Sequence, residues 1–92
     1  MLFETSVKEI ISRADNVASF RFPRPTALTY NPGQYMIVTV QAGGKQLMHV
    51  FSFSSSPTEK DFIEFTKKFT NSEYSAALKT LRFGDRVKID AP

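Results

Sequence analysis

HVFSFSSSP, residues 49–57, starts as an alternating strand and ends in three consecutive serines and a proline. It contains the chain's only histidine and two of its nine phenylalanines. Strand alternation sends Leu47, His49, Phe51 and Phe53 to one face and Met48, Val50 and Ser52 to the other. Where the alternation stops, Ser52, Ser54, Ser55 and Ser56 offer hydroxyls and free backbone N–H groups beside aromatic rings, as a planar polar ligand requires. The same serines would also suit a turn that caps its own backbone.

Upstream, AGGK (42–45) is a glycine turn that pairs YMIVTVQ (35–41) with QLMHVFSFS (46–54) as an antiparallel hairpin. FPRPTALTYNPG (22–33), with three prolines and a glycine, cannot be a central strand or a helix interior and reads as a loop. ASFRF (18–22) puts Ala18, Phe20 and Phe22 on one face. A DN turn at 15–16 joins it to VKEIISR (7–13), the first strand of this reading.

Downstream, DFIEFTKKF (61–69) places Ile63, Phe65 and Phe69 on one face, interrupted by Lys67. That lysine either packs its stem at a barrel mouth or faces a bound anion. In NSEYSAALKTLRFG (71–84), Tyr74, Ala77, Leu78 and Leu81 have helical spacing, Asn71 or Ser72 can cap the start, and Gly84 follows the end. DRVKIDAP (85–92) closes the chain with Val87, Ile89 and Ala91 inward. The pattern predicts an all-β fold: a six-stranded antiparallel Greek-key barrel with one short helix before the last strand.

Ninety-two residues make one domain, 1–92, whose nine Phe and three Tyr supply a dense core. The absence of cysteine excludes disulfides, cysteine-ligated zinc and a cysteine-held iron–sulfur cluster on these residues. The longest apolar run, YMIVTV, is too short to span a membrane, and MLFETSVKEI lacks the pattern of a signal peptide, so a cytoplasmic protein is expected. The charge of +3 is scattered, with Lys67 and Lys68 the one adjacent basic pair, which argues against a nucleic-acid tail. A small basic barrel with aromatics could still stack single-stranded nucleic acid. The start of the helix could bind a phosphate, with Ser75 adding a hydroxyl, or could simply be capped by its own side chains. Glu59, Asp61, Glu64 and Glu73 form no pair that suggests general acid–base chemistry.

The order of motifs resembles the flavin-binding barrel of the ferredoxin–NADP reductase superfamily over essentially the whole chain. PGQY (32–35) precedes a strand. HVFSFSSSP stands against the family's Arg-x-Tyr-Ser-x-x-Ser-x-Pro, SAAL (75–78) against Ser-x-x-Leu, and GDRVKIDAP (84–92) against Gly-Asp-x-Val-x-Val-x-x-Pro.

The resemblance implies a cofactor, FAD or FMN, and a role for each matching position. Phe51 stands where a tyrosine stacks on the isoalloxazine, keeping the ring and losing the hydroxyl. Ser52 takes the place of the serine near flavin N5, Val50 fills the motif position just before Phe51, and Ser55 and Pro57 shape the turn. Thr66, Lys67 and Lys68 match a strand that contacts the flavin through its backbone. Ser75 matches the pyrophosphate-binding serine, although Asn71 and Ser72 stand where the family has a glycine pair.

His49 replaces the arginine that clamps the pyrophosphate. An imidazole with an ordinary pKa of about 6.5 offers at most one donor to the anion, so weaker or pH-sensitive binding is expected, with Lys67 or Lys68 replacing part of the charge.

Family members continue into a nucleotide-binding domain that delivers hydride from NADH or NADPH. These residues contain no Gly-rich dinucleotide loop, so the reading is a flavin domain that needs a separate NAD(P)H-binding domain or subunit. Ferredoxin, flavodoxin or an oxygenase is the implied electron partner. A flavin-free barrel used for docking is the alternative.

Overall fold

The computed structural model describes residues 1–92. Seven strands and one helix follow in the order β1 (Leu2–Ser6), β2 (Glu9–Ala14), β3 (Val17–Pro23), β4 (Tyr35–Ala42), β5 (Lys45–Ser52), β6 (Phe62–Lys68), α1 (Glu73–Thr80) and β7 (Arg86–Asp90). They form two antiparallel sheets, one ordered β1-β7-β4-β5 and the other β2-β3-β6. The antiparallel strands and the single helix before the last strand agree with the sequence reading. The six-stranded Greek-key barrel does not stand as expected, because there are seven strands and no ladder closes around both sheets.

The extra strand lies at the N-terminus, where LFETS pairs with β7 ahead of the first strand expected from the sequence. Its inward positions are Phe3 and Thr5, and a buried threonine hides the apolar alternation. The chain then changes sheets within two residues. The Val7 amide donates to the Asp85 carbonyl at the edge of the first sheet, and the Lys8 amide donates to the Arg21 carbonyl of the second. One corner of the molecule is therefore stitched by continuous chain.

The opposite corner, between β5 and β6, is joined differently. Both are edge strands, and one backbone bond, from the Ser54 amide to the Glu64 carbonyl at 2.8 Å, crosses just beyond β5. Along the rest of this corner each strand keeps a row of backbone groups without a ladder partner.

Between the sheets lie Phe20, Phe22, Met36, Val38, Ile63, Phe65 and Ile89, each at most 1% exposed. Burying each large side chain contributes about 1.5–3 kcal/mol. The Pro-rich loop folds back on the serine turn. Tyr30 stacks on Phe53 with centroids 3.8 Å apart, and Arg24 donates to the carbonyls of Pro57, Glu59 and Leu28. In PGQY, Gly33 has φ +88° and the Gln34 amide donates to the Asn31 carbonyl, a turn with proline second and a left-handed glycine third.

The helix starts at the Ser72 cap, one of the two expected. It ends at Leu81 with an extended residue rather than at Gly84, which instead serves the tight turn from Arg82 to Asp85.

Candidate functional site

The β4–β5 register fixes what β5 presents. His49 and Phe51 sit opposite the buried Val38 and Met36, so both lie on the inner face, while Val50 and Ser52 sit opposite Ile37 and Tyr35 on the outer face. On β6, Lys67 pairs with Ala18 on the inner face, and Thr66 and Lys68 pair with Ser19 and Val17 on the outer face.

An aromatic stack fills the corner. Phe51 is 6% exposed and lies on Phe65 with centroids 4.0 Å apart and planes 15° from parallel. The His49 ring is 4.8 Å from Phe51, inclined by 32°, and 5.2 Å from Tyr74. Phe65 covers one face of Phe51, and the imidazole packs against the same ring at a tilt. His49 itself is exposed, and its Nδ1 donates to the Val50 carbonyl at 2.9 Å. Tyr74 anchors α1 to β4 through a hydroxyl that donates to the Val38 carbonyl at 2.8 Å, and burial pushes its phenol pKa well up.

The serines divide into two groups. Ser54 Oγ donates to Glu64 Oε1 at 2.7 Å, Ser55 Oγ accepts from the Glu64 amide and meets Tyr30, and Ser56 Oγ accepts from the Thr58 amide. These three brace the turn. Ser52 is exposed, and its hydroxyl is not engaged in this bracing.

Beneath the turn, Glu64 is 5% exposed and takes Arg21 Nε at 2.7 Å and Arg13 at 3.3 Å. Burial alone would raise its carboxyl pKa. The hydrogen bonds from Arg21 and Ser54 and the charges of Arg21 and Arg13 outweigh burial and hold it below the usual range. Thr66 Oγ1 joins the same network, between Ser19 and Ser54 at 2.7 and 3.0 Å.

Ser75 is turned inward. It is fully buried, its hydroxyl accepts from the Thr70 amide at 2.9 Å and its own amide donates to the Ser72 cap at 3.0 Å. Glu73, in the first helical turn, pairs with Lys45 at 3.2 Å, so a carboxylate already stands at the positive end of the helix.

The β5 side of the corner thus carries His49 and Phe51 inward and Val50 and Ser52 outward, the β6 side carries Lys67 inward and Thr66 and Lys68 outward, and Ser75 is buried in α1 against Thr70. Sequence reasoning left Phe65 and Tyr74 out of the site, treating them as core alternation and helix periodicity. The signal available for Tyr74 was its place immediately before Ser75 in the first helical turn.

The largest concavities lie elsewhere. An open groove of about 500 Å³ lies between the β4–β5 turn and α1, one of about 410 Å³ runs beside Tyr35 and Asp90, and an apolar one of about 370 Å³ lies between β2 and α1. The corner is a seam rather than a cavity.

Residues 3–92 match the family described as the oxidoreductase FAD-binding domain. The chain belongs to that family. Within the FAD-binding domain family it is 30% identical over 95 residues to NADH-cytochrome b5 reductase 1 of Aspergillus fumigatus, covering 97% of this chain and 31% of that protein. It is 27% identical over 75 residues to a ferredoxin–NADP reductase of Azotobacter vinelandii, covering 82% and 29%. The cytochrome b5 reductase domain of Ulva prolifera nitrate reductase superposes with a TM-score of 0.87 at 18% identity, over all of this chain and 40% of that one, a likeness of fold. The FAD-binding domain described here spans about a third of the length of the curated relatives it matches. No helix is long and apolar enough to cross a membrane.

Several features of the corner suit the flavin that the family name implies. Two edge strands face each other with unpaired backbone groups, an exposed serine hydroxyl stands at the end of one, and a lysine lies on the inner face of the other. Phe51 is 6% exposed with Phe65 stacked on one face, and the Ser75 hydroxyl is turned inward to the Thr70 amide, so neither presents an open ring face or hydroxyl.

Proposed function

We propose that these residues hold FAD along the seam between β5 and β6, as the flavin domain of an NAD(P)H-dependent oxidoreductase. The observation that carries this reading is the unladdered corner itself, which HVFSFSSSP on β5 forms with β6. Counting β1 and β2 as one bent stave turns the two sheets into a six-stave Greek-key barrel with a single open seam, and the cofactor belongs at that opening.

Ser52 would hydrogen-bond the ring edge near N5, and the backbone of Val50 and of Thr66, Lys67 and Lys68 would contact the flavin from either side. Phe51, held from behind by Phe65, would support the ring. His49 and the two lysines would face the pyrophosphate, with Ser75 as a buried support for the helix start. When bound, FAD supplies two-electron exchange with a nicotinamide and single-electron exchange with a carrier.

The relatives' names pair NADH with cytochrome b5 and NADP with ferredoxin. Such a reaction would take its nicotinamide from a domain or subunit outside residues 1–92. Its electron partner would be a ferredoxin, a flavodoxin or an oxygenase, and its setting the cytoplasm. Family membership weighs against the nucleic-acid reading.

Titration of FAD into the protein should quench flavin fluorescence, and flavin absorbance should co-elute on gel filtration, with FMN weaker. If both signals stay unchanged at high FAD, the cofactor role of this chain is wrong.

A further inference from the structure

We propose that His49 makes the affinity for pyrophosphate-bearing flavins proton-linked, so that FAD binds with uptake of a proton and riboflavin does not. The inference rests on the flavin reading above and specifies which ligands that site distinguishes.

The argument begins with one hydrogen bond. His49 Nδ1 lies 2.9 Å from the Val50 carbonyl oxygen, and a carbonyl can only accept, so Nδ1 carries the proton. In the neutral ring Nε2 is then a bare lone pair. A free imidazole can present an N–H to an anion by changing tautomer, but here that change would break the Val50 bond. The neutral side chain therefore turns an acceptor toward any phosphate, and two acceptors repel. Protonation at Nε2 keeps the Val50 bond, adds a second donor and brings a positive charge. Where an arginine would be a permanent cation, this site has one that appears only when the ring is protonated.

The surroundings do not supply a fixed substitute on the same strand pair. β4 carries no charged side chain. On β5 the cation is Lys45, engaged with Glu73 of α1 at 3.2 Å. α1 further presents the phenol of Tyr74, packed against the imidazole, and Lys79, which lies 5.4 Å from the Phe69 ring centroid. On β6, Glu64 is bound to Arg21 and Arg13, leaving Lys67 and Lys68 as the cations of that strand.

The sign follows from linkage. An anion beside His49 and a proton on its ring favour each other. The added affinity is therefore present at low pH and is lost as pH rises.

The test measures dissociation constants of FAD and riboflavin by fluorescence quenching between about pH 5 and 8, the range in which histidines titrate. FMN is left aside because a phosphate monoester itself titrates near pH 6. FAD binding should weaken with rising pH by up to about tenfold per unit, the limit for one linked proton. Riboflavin binding should stay flat. His49→Arg should hold FAD tightly across the range and His49→Gln weakly across it, both without slope, with circular dichroism confirming the fold of each. FAD affinity that is independent of pH in the unaltered protein, or a slope that persists in His49→Gln, overturns the proposal while leaving the flavin site intact. Failure of both flavins to bind at any pH overturns the flavin reading and this proposal with it.

Discussion

Phe51 on β5 and Phe65 on β6 lie face to face across the corner where the two sheets share no ladder, their ring centroids 4.0 Å apart. Phe65 also stacks on Phe20 at 5.1 Å and Phe22 at 5.8 Å. A ring in the second sheet thus continues into the first by side-chain packing, where hydrogen bonds would ordinarily do the joining.

Phe65→Ala should therefore be costly. It removes a fully buried ring from the centre of the stack, and a loss of about 3–5 kcal/mol is expected in urea unfolding. A loss below about 1 kcal/mol would show that the corner is held by something other than these rings.

Glu64 gives the molecule an acid-sensitive joint. Its carboxyl is held below the ordinary range in the folded state, so its stabilisation is present above the unfolded carboxylate's pKa and lost as pH falls through the lower folded value. Glu64→Gln should lower stability at neutral pH by roughly 1–3 kcal/mol and flatten the fall in melting temperature between neutral and acid conditions. An equally steep acid fall in the variant would assign that sensitivity to other carboxylates.

Tyr74→Phe keeps the ring against His49 and Phe51 and deletes the bond to the Val38 carbonyl. The expected cost is about 1 kcal/mol, read by thermal or urea unfolding, with the helix retained by circular dichroism.

Ser52→Ala tests function apart from fold. An exposed hydroxyl outside the serine bracing should leave stability within about 0.5 kcal/mol. If it bonds the flavin edge, FAD affinity should drop severalfold to about tenfold and the flavin absorption bands should shift. Unchanged affinity and spectrum would remove Ser52 from the site.

Most of this architecture was legible because alternation reports burial directly. Ala18, Phe20 and Phe22, then Ile63 and Phe65, then Val87, Ile89 and Ala91 all face inward as their period-two spacing predicts. The first strand was hidden because Thr5 fills an inward position, and a bend at Val7 and Lys8 interrupts the hydrogen-bond pattern without a glycine or proline to mark it.

At the candidate site, sequence could order the motifs along the chain but could not tell which serines were already occupied. Ser54 and Ser55 differ from Ser52 only in what lies beneath them, a carboxylate on another strand and a tyrosine from the Pro-rich loop. Ser75 illustrates the same limit: its local setting is right for a phosphate, and the Thr70 amide that takes its hydroxyl belongs to the approach to the helix.

The pairing of β1 with β7 sets the order in which the domain can assemble. Leu2 lies opposite Asp90, and the Ala91 amide donates to the Met1 carbonyl at 2.8 Å, a contact spanning nearly the whole chain. At about 5–20 residues per second of synthesis, the first strand waits on the order of ten seconds for its partner to be made. The β4–β5 hairpin, closed by two left-handed glycines, can form long before that. During that interval an unpaired edge at the beginning of the chain is open to wrong partners. Its outward residues Leu2, Glu4 and Ser6 include a charge, and that charge at Glu4 is a safeguard against strand addition from a neighbouring nascent chain.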